Sequence, residues 1–270
     1  MARILIVVHA AEDQPCSGYL LGCFFRSWLQ LGHRVSVAAG FEQLPMADVA
    51  VLHVDLSLVP GPYLAAMRRY PAAVNGRARD IRKRTVSRHR VRPGDGWAGP
   101  VIVKTDLNFG GASEWLLYQR SGGKRWFGRP PRPPRTQPYE IYPSAAAAPK
   151  RVWSAPDLIV ERFLPEWDAS GFHMRSWTFF GEKERCTRYR SDKPIIKLSD
   201  VTGKQSVPVP QELRAERERL GFDFGKFDFV VHEGRAVLLD ANRTPAATPA
   251  TPEFDRGNAE LAQGIEGFLK

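Results

Sequence analysis

The reading of this chain turns on Phe227-Asp228-Phe229-Val230-Val231-His232, the dipeptide Glu233-Gly234, and Ala236-Val237-Leu238-Leu239-Asp240-Ala241-Asn242. The first run alternates apolar and other residues, and the second is apolar almost to its end. The Glu-Gly between them signals a tight antiparallel hairpin. Asp240 and Asn242 stand two residues apart on a strand and therefore share a face. Pairing across the turn lets Asp228 converge on that same face. Two carboxylates and an amide oxygen packed there repel one another unless a cation sits among them. Hard oxygen donors of this kind suit Mg2+, which keeps water and fills its remaining positions with nucleotide phosphates. The competing reading is that Asp240 and Asn242 cap the strand and open the turn at Thr244-Pro245. On these residues alone the two readings stand level.

Upstream, Val101-Ile102-Val103-Lys104 is a short apolar strand ending in lysine, followed by a loop that contains Gly110-Gly111. Such a lysine delivers an ammonium group to a phosphate while backbone N–H groups wrap the anion, or else it snorkels to solvent. Leu158-Ile159-Val160-Glu161-Arg162-Phe163-Leu164 is a second apolar strand, interrupted by a charged pair and stopped by Pro165. It either presents backbone groups to an adenine edge, with Phe163 and Leu164 on the ring face, or is an ordinary edge strand. Arg188 and Arg190 share a facing direction on the strand 184–190, where a guanidinium fork suits a carboxylate. A solvated basic strand is the alternative there. Cys186, between Arg185 and Arg188, reads as a small strand residue in preference to an acidified thiol.

Residues 1–75 alternate strands (2–8, 34–38, 49–54, 72–75) with helical segments (17–31, and one ending near Tyr70), the pattern of a small parallel α/β layer. No GxGxxG fingerprint occurs in it. His9, the segment 14–18 and His53 lie at strand ends, where ligands bind in open α/β sheets, although a single histidine there is commonly structural. Residues 128–149 are rich in Pro and Arg and read as an extended insertion between strands ahead of a polyproline ligand. Strands at 173–180 and 184–190, a charged helix at 210–220 and a closing amphipathic helix at 253–269 complete the chain.

Lys and Arg number 39 against 29 Asp and Glu, a net charge of +10 across 270 residues. Much of the excess lies in Arg77, Arg79, Arg82, Lys83, Arg84, Arg88, Arg90 and Arg92, opposed by Asp80. The run reads first as a solvated surface, with attraction of a small polyanion as the functional alternative. It has no interleaved aromatic residues to stack bases, which argues against a nucleic-acid partner. No apolar run approaches the roughly 20 residues of a membrane span. Three cysteines (Cys16, Cys23, Cys186), without a CxxC pair, argue against a disulfide framework or a zinc site and for a reducing cytoplasm.

Taken in order, these pieces resemble the ATP-grasp superfamily, in particular carboxylate–amine ligases with a glutathione synthetase-type ATP-binding fold. The matching residues are Asn75-Gly76-x-x-x-Asp80-Ile81-x-Lys83, Val101 to Lys104 with Gly110-Gly111, Val160 to Leu164, His173-Met174-Arg175, Asp228, and Asp240-Ala241-Asn242-Arg243-Thr244-Pro245. The resemblance implies a small N-terminal parallel α/β domain (1–75), then a two-lobed α+β ATP-grasp domain with a central lobe (76–165) and a C-terminal lobe (166–270). It implies ATP between the lobes, with Lys83 and Lys104 on its phosphates, Gly110 and Gly111 in the lid, and Glu161, Arg162, Phe163 and Leu164 along the adenine. For the acidic ribose contact Asp168 leads Glu166 and His173. Asp228, Asp240 and Asn242 would hold one or two Mg2+ ions.

The reaction so implied activates a small carboxylate as an acylphosphate for attack by an amine or another nucleophile. Arg175 would then assist the lysines at the γ-phosphoryl group, and Arg188 or Arg190 would face the acylphosphate. Three departures stand out: Asp240 where the superfamily usually has Glu, an abbreviated lid (Asn108-Phe109-Gly110-Gly111), and a stretch at 128–149 without counterpart. The alternatives are an ATP-grasp kinase acting on an anionic small molecule and a polyanion-binding module with a degenerate nucleotide site. The expected partner is a small carboxylate or other anion, with no nucleic acid and no membrane. The oligomeric state stays open, a homodimer included.

Overall fold

The computed structural model describes residues 1–125, 130–134, 139–247 and 252–269. The first layer is a parallel sheet of β1 (Arg3–Val8), β2 (Arg34–Ala39), β3 (Val49–His53) and β4 (Ala72–Val74), in the order β2-β1-β3-β4. The apolar runs of β1 and β3 take its centre, because only strands covered on both faces can be apolar throughout. Helix α1 (Leu20–Gln30) buries Leu20, Leu21, Phe24 and Trp28, one stripe of a 3.6-residue period. Helix α2 (Gly61–Met67) starts with Pro62 in its first turn, where the missing N–H costs nothing.

The second layer starts with the short α3 (Lys83–Val86) and an antiparallel sheet in which β5 (Val101–Thr105) lies centrally. Helix α4 (Ala112–Arg120) follows the glycine loop. β5 is flanked by β6 (Glu140–Tyr142) and, after α5 (Lys150–Ser154), by β7 (Leu158–Arg162). The Pro/Arg-rich stretch thus ends by supplying a strand, which the sequence reading did not expect. Residues 126–129 and 135–138 of that region lie outside the described residues.

The third layer is an antiparallel sheet of β8 (Glu166–Asp168), β9 (Gly171–Phe180), β10 (Lys183–Ser191), β11 (Gly203–Ser206), β12 (Phe224–His232) and β13 (Arg235–Asn242). Its order is β11-β10-β9-β12-β13, with β8 paired to β9. Glu233 (φ 49°) and Gly234 (φ 79°) form the β12–β13 turn, both at the positive φ that a primed hairpin turn demands. One face packs Trp177, Phe179, Phe227, Phe229 and Leu238 against Leu213 and Leu220 of α6 (Gln211–Leu220). Ring centroids lie 4.4 Å apart for Trp177–Phe179 and 5.2 Å for Phe179–Phe227. Each such side chain contributes about 1.5–3 kcal/mol on burial.

The closing helix α7 (Pro252–Ala262) and the turn after it return to the first layer. Leu261, Ala262 and Ile265 share a core with Phe24 and Trp28, and the Trp28 indole N–H donates to the Ala262 carbonyl at 2.8 Å. Part of the basic run is paired, Arg82 to Asp80, Arg84 to Asp106 and Arg88 to Glu216, each at 2.6 Å, while Arg77, Arg79, Arg90 and Arg92 are exposed. Exposed pairs of this kind contribute about 0–1 kcal/mol each. Lys83, in the middle of the run, points inward and is buried. The three cysteines are free, and burial pushes the Cys16 and Cys186 thiols up to about 11. Among the described residues no helix is long and apolar enough to cross a membrane.

Candidate functional site

A cavity of about 1100 Å³ opens between the second and third layers, at the large end of the roughly 300–1,000 Å³ usual for small-molecule sites. Its floor is the other face of the third sheet. Register explains how the side chains reach it. Asp228 pairs with Asp240 and Lys226 with Asn242 across the hairpin, while Ser176 and Thr178 of β9 stand beside Asp228 and Lys226. The alternation that sends Phe227 and Phe229 into the core sends Lys226 and Asp228 to the cavity. A bulge between Asp228 and Phe229 slips the register, and both Leu239 and Asp240 line the cavity.

Two facing carboxylates need neighbouring positive charge, and lysines supply it. Lys226 Nζ lies 3.0 Å from Asp228 Oδ2, and Lys83 Nζ lies 3.2 Å from Asp240 Oδ1. Burial alone pulls both ammonium groups down, but the adjoining carboxylates more than offset it and hold both above the usual lysine value. Ser176 Oγ–H donates to Asp228 Oδ1 at 2.8 Å, and Asn242 Oδ1 accepts the Thr244 N–H at 2.9 Å. Among the described residues no group of three or more His, Cys, Asp and Glu forms a metal cluster. The Asp228–Asp240–Asn242 set is instead two carboxylates and an amide. Those all-oxygen donors, converging on one face, fit an Mg2+ that shares its shell with water and phosphate.

The roof comes from the second layer. Lys104 reaches in from β5, with Nζ 2.7 Å from Glu161 Oε2 of β7 and both side chains buried. A pair this buried holds the lysine in one place, because either partner alone would be an uncompensated charge. Arg162, Phe163 and Leu164 continue along the wall with Ile102 and Tyr139. The glycine loop folds over Lys83: Asn108 Oδ1 accepts from Lys83 Nζ at 3.2 Å, and the Asn108 N–H donates to Ser57 Oγ at 3.0 Å. Gly110 and Gly111 have positive φ, and so does Phe109 (φ 47°), a strained conformation for a bulky residue. Asn108 and Phe109 line the cavity, and Phe109 is 73% exposed.

Arg243 fixes the end of the hairpin. Its guanidinium is fully buried and donates to the carbonyls of Ala78 at 2.6 Å, Val54 at 3.2 Å and Leu56. Burial lowers its pKa to about 10, while Asp55, Glu114 and Asp80 favour the charge. One side chain thereby ties the strand of Asp240 and Asn242 to the first layer and to the segment that leads into Lys83.

Of the residues singled out in the sequence, Lys83, Lys104, Arg162, Phe163, Leu164, Asp228, Asp240 and Asn242 line this one cavity, with Glu161 behind Lys104. Gly110 and Gly111 shape the loop without lining the cavity themselves. The structure does not bring Arg175, Arg188, Arg190 or Asp168 to it. Arg188 pairs with Arg175 in register and Cys186 with Trp177, so the two arginines, with Arg190, lie on the packed face. There Arg175 and Arg188 each hold Glu166 at 2.8 Å, Arg188 reaches Asp168 at 2.9 Å, and Arg190 Nε donates to Thr202 Oγ1 at 3.2 Å. Hydrogen bonds from Ser170, Arg188 and His173 hold the Asp168 carboxyl well below the usual range. For the ribose contact, Glu166 and His173 line the cavity and Asp168 does not.

His9 and His53 are buried packing residues outside the cavity wall. His9 stacks on Tyr63 and His53 sits edge-on to Tyr19, and burial lowers each to about 4. The sequence reading passed over Lys226, Ser176, Thr178 and Thr187 and took Arg185 only as part of a solvated basic strand, and all five line the cavity. Strand parity with Asp228 was the available signal for Lys226, two residues before it.

A small parallel layer followed by two lobes that clasp such a cavity defines a class: the chain has the ATP-grasp fold. It is similar over its whole length to the ATP-grasp ligase PsnB complexed with minimal precursor (10% identity, TM-score 0.53, 100% of each chain). It is also similar to D-cycloserine synthetase DcsG (15% identity, TM-score 0.52, 99% of this chain and 100% of that one). A third is a RimK domain ATP-grasp protein from Sphaerobacter thermophilus (12% identity, TM-score 0.50, 98% of this chain and 99% of that one). At these identities the likeness is one of fold. No protein-family model and no curated protein sequence matches the chain.

Proposed function

We propose that the protein is an Mg2+- and ATP-dependent ligase that activates a small carboxylate as an acylphosphate for attack by an amine or other nucleophile. One observation carries this reading: Lys83, Lys104 and the Asp228–Asp240–Asn242 set come from separate elements and converge on one cavity. Anionic ligand chemistry explains the convergence, since lysines fixed by carboxylate partners on the wall of one open volume are placed to meet phosphate. In this reading Lys83 and Lys104 hold phosphates, Ile102, Phe163, Leu164, Val230 and Leu239 enclose the adenine, and Asn108 with Phe109 covers the transferring group. Of the residues weighed for the ribose, Glu166 is taken up by Arg175, Arg188 and the Val231 N–H, which leaves His173 on the cavity wall in place of Asp168. Asp228, Asp240 and Asn242 hold Mg2+, which when bound neutralises charge on the transferring phosphoryl oxygens. Lys226, half-buried and paired with Asp228, faces the acyl end.

The likeness to PsnB, DcsG and the RimK domain protein, the first described as an ATP-grasp ligase and the second as a synthetase, supports bond formation over phosphorylation of a hydroxyl. Calorimetry with Mg2+–ATP tests the nucleotide half directly. Asp240→Ala and Asn242→Ala should each weaken Mg2+-dependent ATP binding by more than the roughly 10–100-fold typical of losing an outer-shell partner. Unchanged affinity in both variants would overturn the metal assignment. ADP and free phosphate released with an amide product separate a ligase from a kinase, whose phosphate stays on the substrate.

A further inference from the structure

The charged groups around the cavity largely answer one another. Lys83 is paired with Asp240, Lys104 with Glu161 and Lys226 with Asp228. Glu166 is taken up by Arg175, Arg188 and the Val231 N–H at 2.7 Å. Glu166, Asp228 and Asp240 are the acidic side chains among the described lining residues, and each thus has a cationic partner already. The Arg185 guanidinium lies against Gly257 of α7, where an added Cβ would come within 3.0 Å of Nη1. Lys204 stands at the β11 rim but is exposed, where a charge pair contributes little.

The segment between β10 and β11 sorts its side chains by polarity. Of residues 192–200, the four that line the cavity are Pro194, Ile195, Ile196 and Leu198, and the five polar ones do not line it. The polar side closes the loop. Lys193 Nζ meets Asp200 Oδ1 at 2.6 Å, the Lys193 N–H donates to Ser191 Oγ at 3.1 Å, and the Asp200 N–H donates to the Lys197 carbonyl at 2.9 Å. The apolar side shares the cavity with Met174 and Tyr189 of the floor, which pair in register across β9 and β10. Among the described residues, neither isoleucine nor Leu198 joins an apolar cluster of the core, and Leu198 is 64% exposed. Left in water, such side chains forgo the burial that normally stabilises a fold, and apolar patches rimmed by charge mark binding sites. The cavity, at about 1100 Å³, exceeds the roughly 300–1,000 Å³ usual for one small ligand, which leaves room beside a nucleotide.

Resting on the nucleotide reading above, we propose that the 192–200 loop selects the acid that the protein activates, and that this acid has an uncharged, apolar body. Ile195, Ile196 and Leu198 hold that body over Met174 and Tyr189. An acid with a second charge at its far end is a poor substrate, because the charge would lose water there without an open, buried partner.

Hexanoate, 6-aminohexanoate and adipate share one six-carbon chain and differ at the far end, which makes them suitable probes. Each is titrated by calorimetry into the protein loaded with Mg2+ and a non-hydrolysable ATP analogue. Hexanoate should bind at least about 10-fold more tightly than either charged relative. It should also bind about 10-fold more tightly than butanoate, as expected for two more buried methylenes. Ile196→Asp should weaken hexanoate by about 10-fold or more, and Leu198→Ser, at an exposed position, by about 3-fold or more. Both variants should bind the nucleotide analogue within about twofold of the parent, which also reports that they are folded. If the analogue does not bind the parent protein, the nucleotide reading falls and this assignment with it. If the analogue binds but 6-aminohexanoate or adipate matches hexanoate, or none of the acids binds, the apolar assignment falls alone. It also falls alone if both variants leave hexanoate unchanged, or if they weaken the nucleotide as much as the acid.

Discussion

The third sheet has two faces made from the same strands, and they solve opposite problems. One carries Trp177, Phe179, Phe227 and Phe229, all fully buried. The other carries Ser176, Thr178, Lys226, Asp228, Asp240 and Asn242 in adjoining register positions. Placing Asp228 opposite Asp240 works against folding, because like charges on paired strands repel. The aromatic face anchors the backbone that holds them there. Stability and ligand binding therefore separate by side-chain parity within single strands. The strongest test of that separation is Trp177→Ala, expected to cost about 3–5 kcal/mol of stability in urea unfolding. Mg2+–ATP affinity of the folded fraction, read by calorimetry, should stay within about twofold of the parent, since local lesions away from the site leave it intact. A loss of affinity like that expected of Asp240→Ala would break the comparison.

The faces also differ in their response to pH. Burial alone pushes the Glu166 carboxyl up, but Arg175, the Val231 N–H and Arg188 outweigh it and leave the group below its usual value. A depressed carboxyl contributes stability that is present above the ordinary Glu range near about 4.3 and lost as pH falls through the folded value. Lys83 and Lys226 on the cavity face lie above their usual value. Their contribution is fully present below about 10.4 and lost as pH rises through the folded values. The packed edge is thus acid-sensitive and the cavity face alkali-sensitive. Glu166→Gln should lower stability at neutral pH by about 2 kcal/mol, as for loss of a charged hydrogen-bond acceptor. It should also flatten the acid limb in urea unfolding measured across pH 3–7. An acid limb as steep as the parent's would show that Glu166 does not link these arginines to stability.

The same parity governs what the sequence made legible. In the hairpin, apolar alternation and the Glu-Gly turn were enough to put Asp228, Asp240 and Asn242 on one face, and the structure places them there. In β9 the same signal went unused: Arg175 shares its parity with Trp177 and Phe179, while Ser176 and Thr178 hold the other. Arg188 and Arg190 share theirs with Cys186, which pairs with Trp177. The shared direction of the two arginines was readable. Which side that direction faced depended on the aromatic residues one strand away. Other features had no local signal. Glu140-Ile141-Tyr142 is too short to show a period and becomes a strand only because β5 offers an edge. The closing helix shows an apolar stripe, but a stripe does not name its partner, here α1 of the first layer.

Arg190 gives the smallest expected effect and the sharpest check on strand parity. It is exposed, its Nε donates to the Thr202 hydroxyl at 3.2 Å, and its backbone pairs with Gly203 of the edge strand. An exposed hydrogen bond at a sheet edge competes with water on equal terms, so Arg190→Ala should change stability by less than about 0.5 kcal/mol. Mg2+–ATP affinity should shift by less than about twofold, because the side chain lies on the packed-face side of β10. Measuring substrate-dependent ADP release beside that affinity makes the test decisive. If release falls about 100-fold or more while nucleotide affinity holds, the guanidinium acts only in the transition state. Arg190 would then have to reach around the β10–β11 edge into the cavity, and the division of this sheet by parity would fail at that strand.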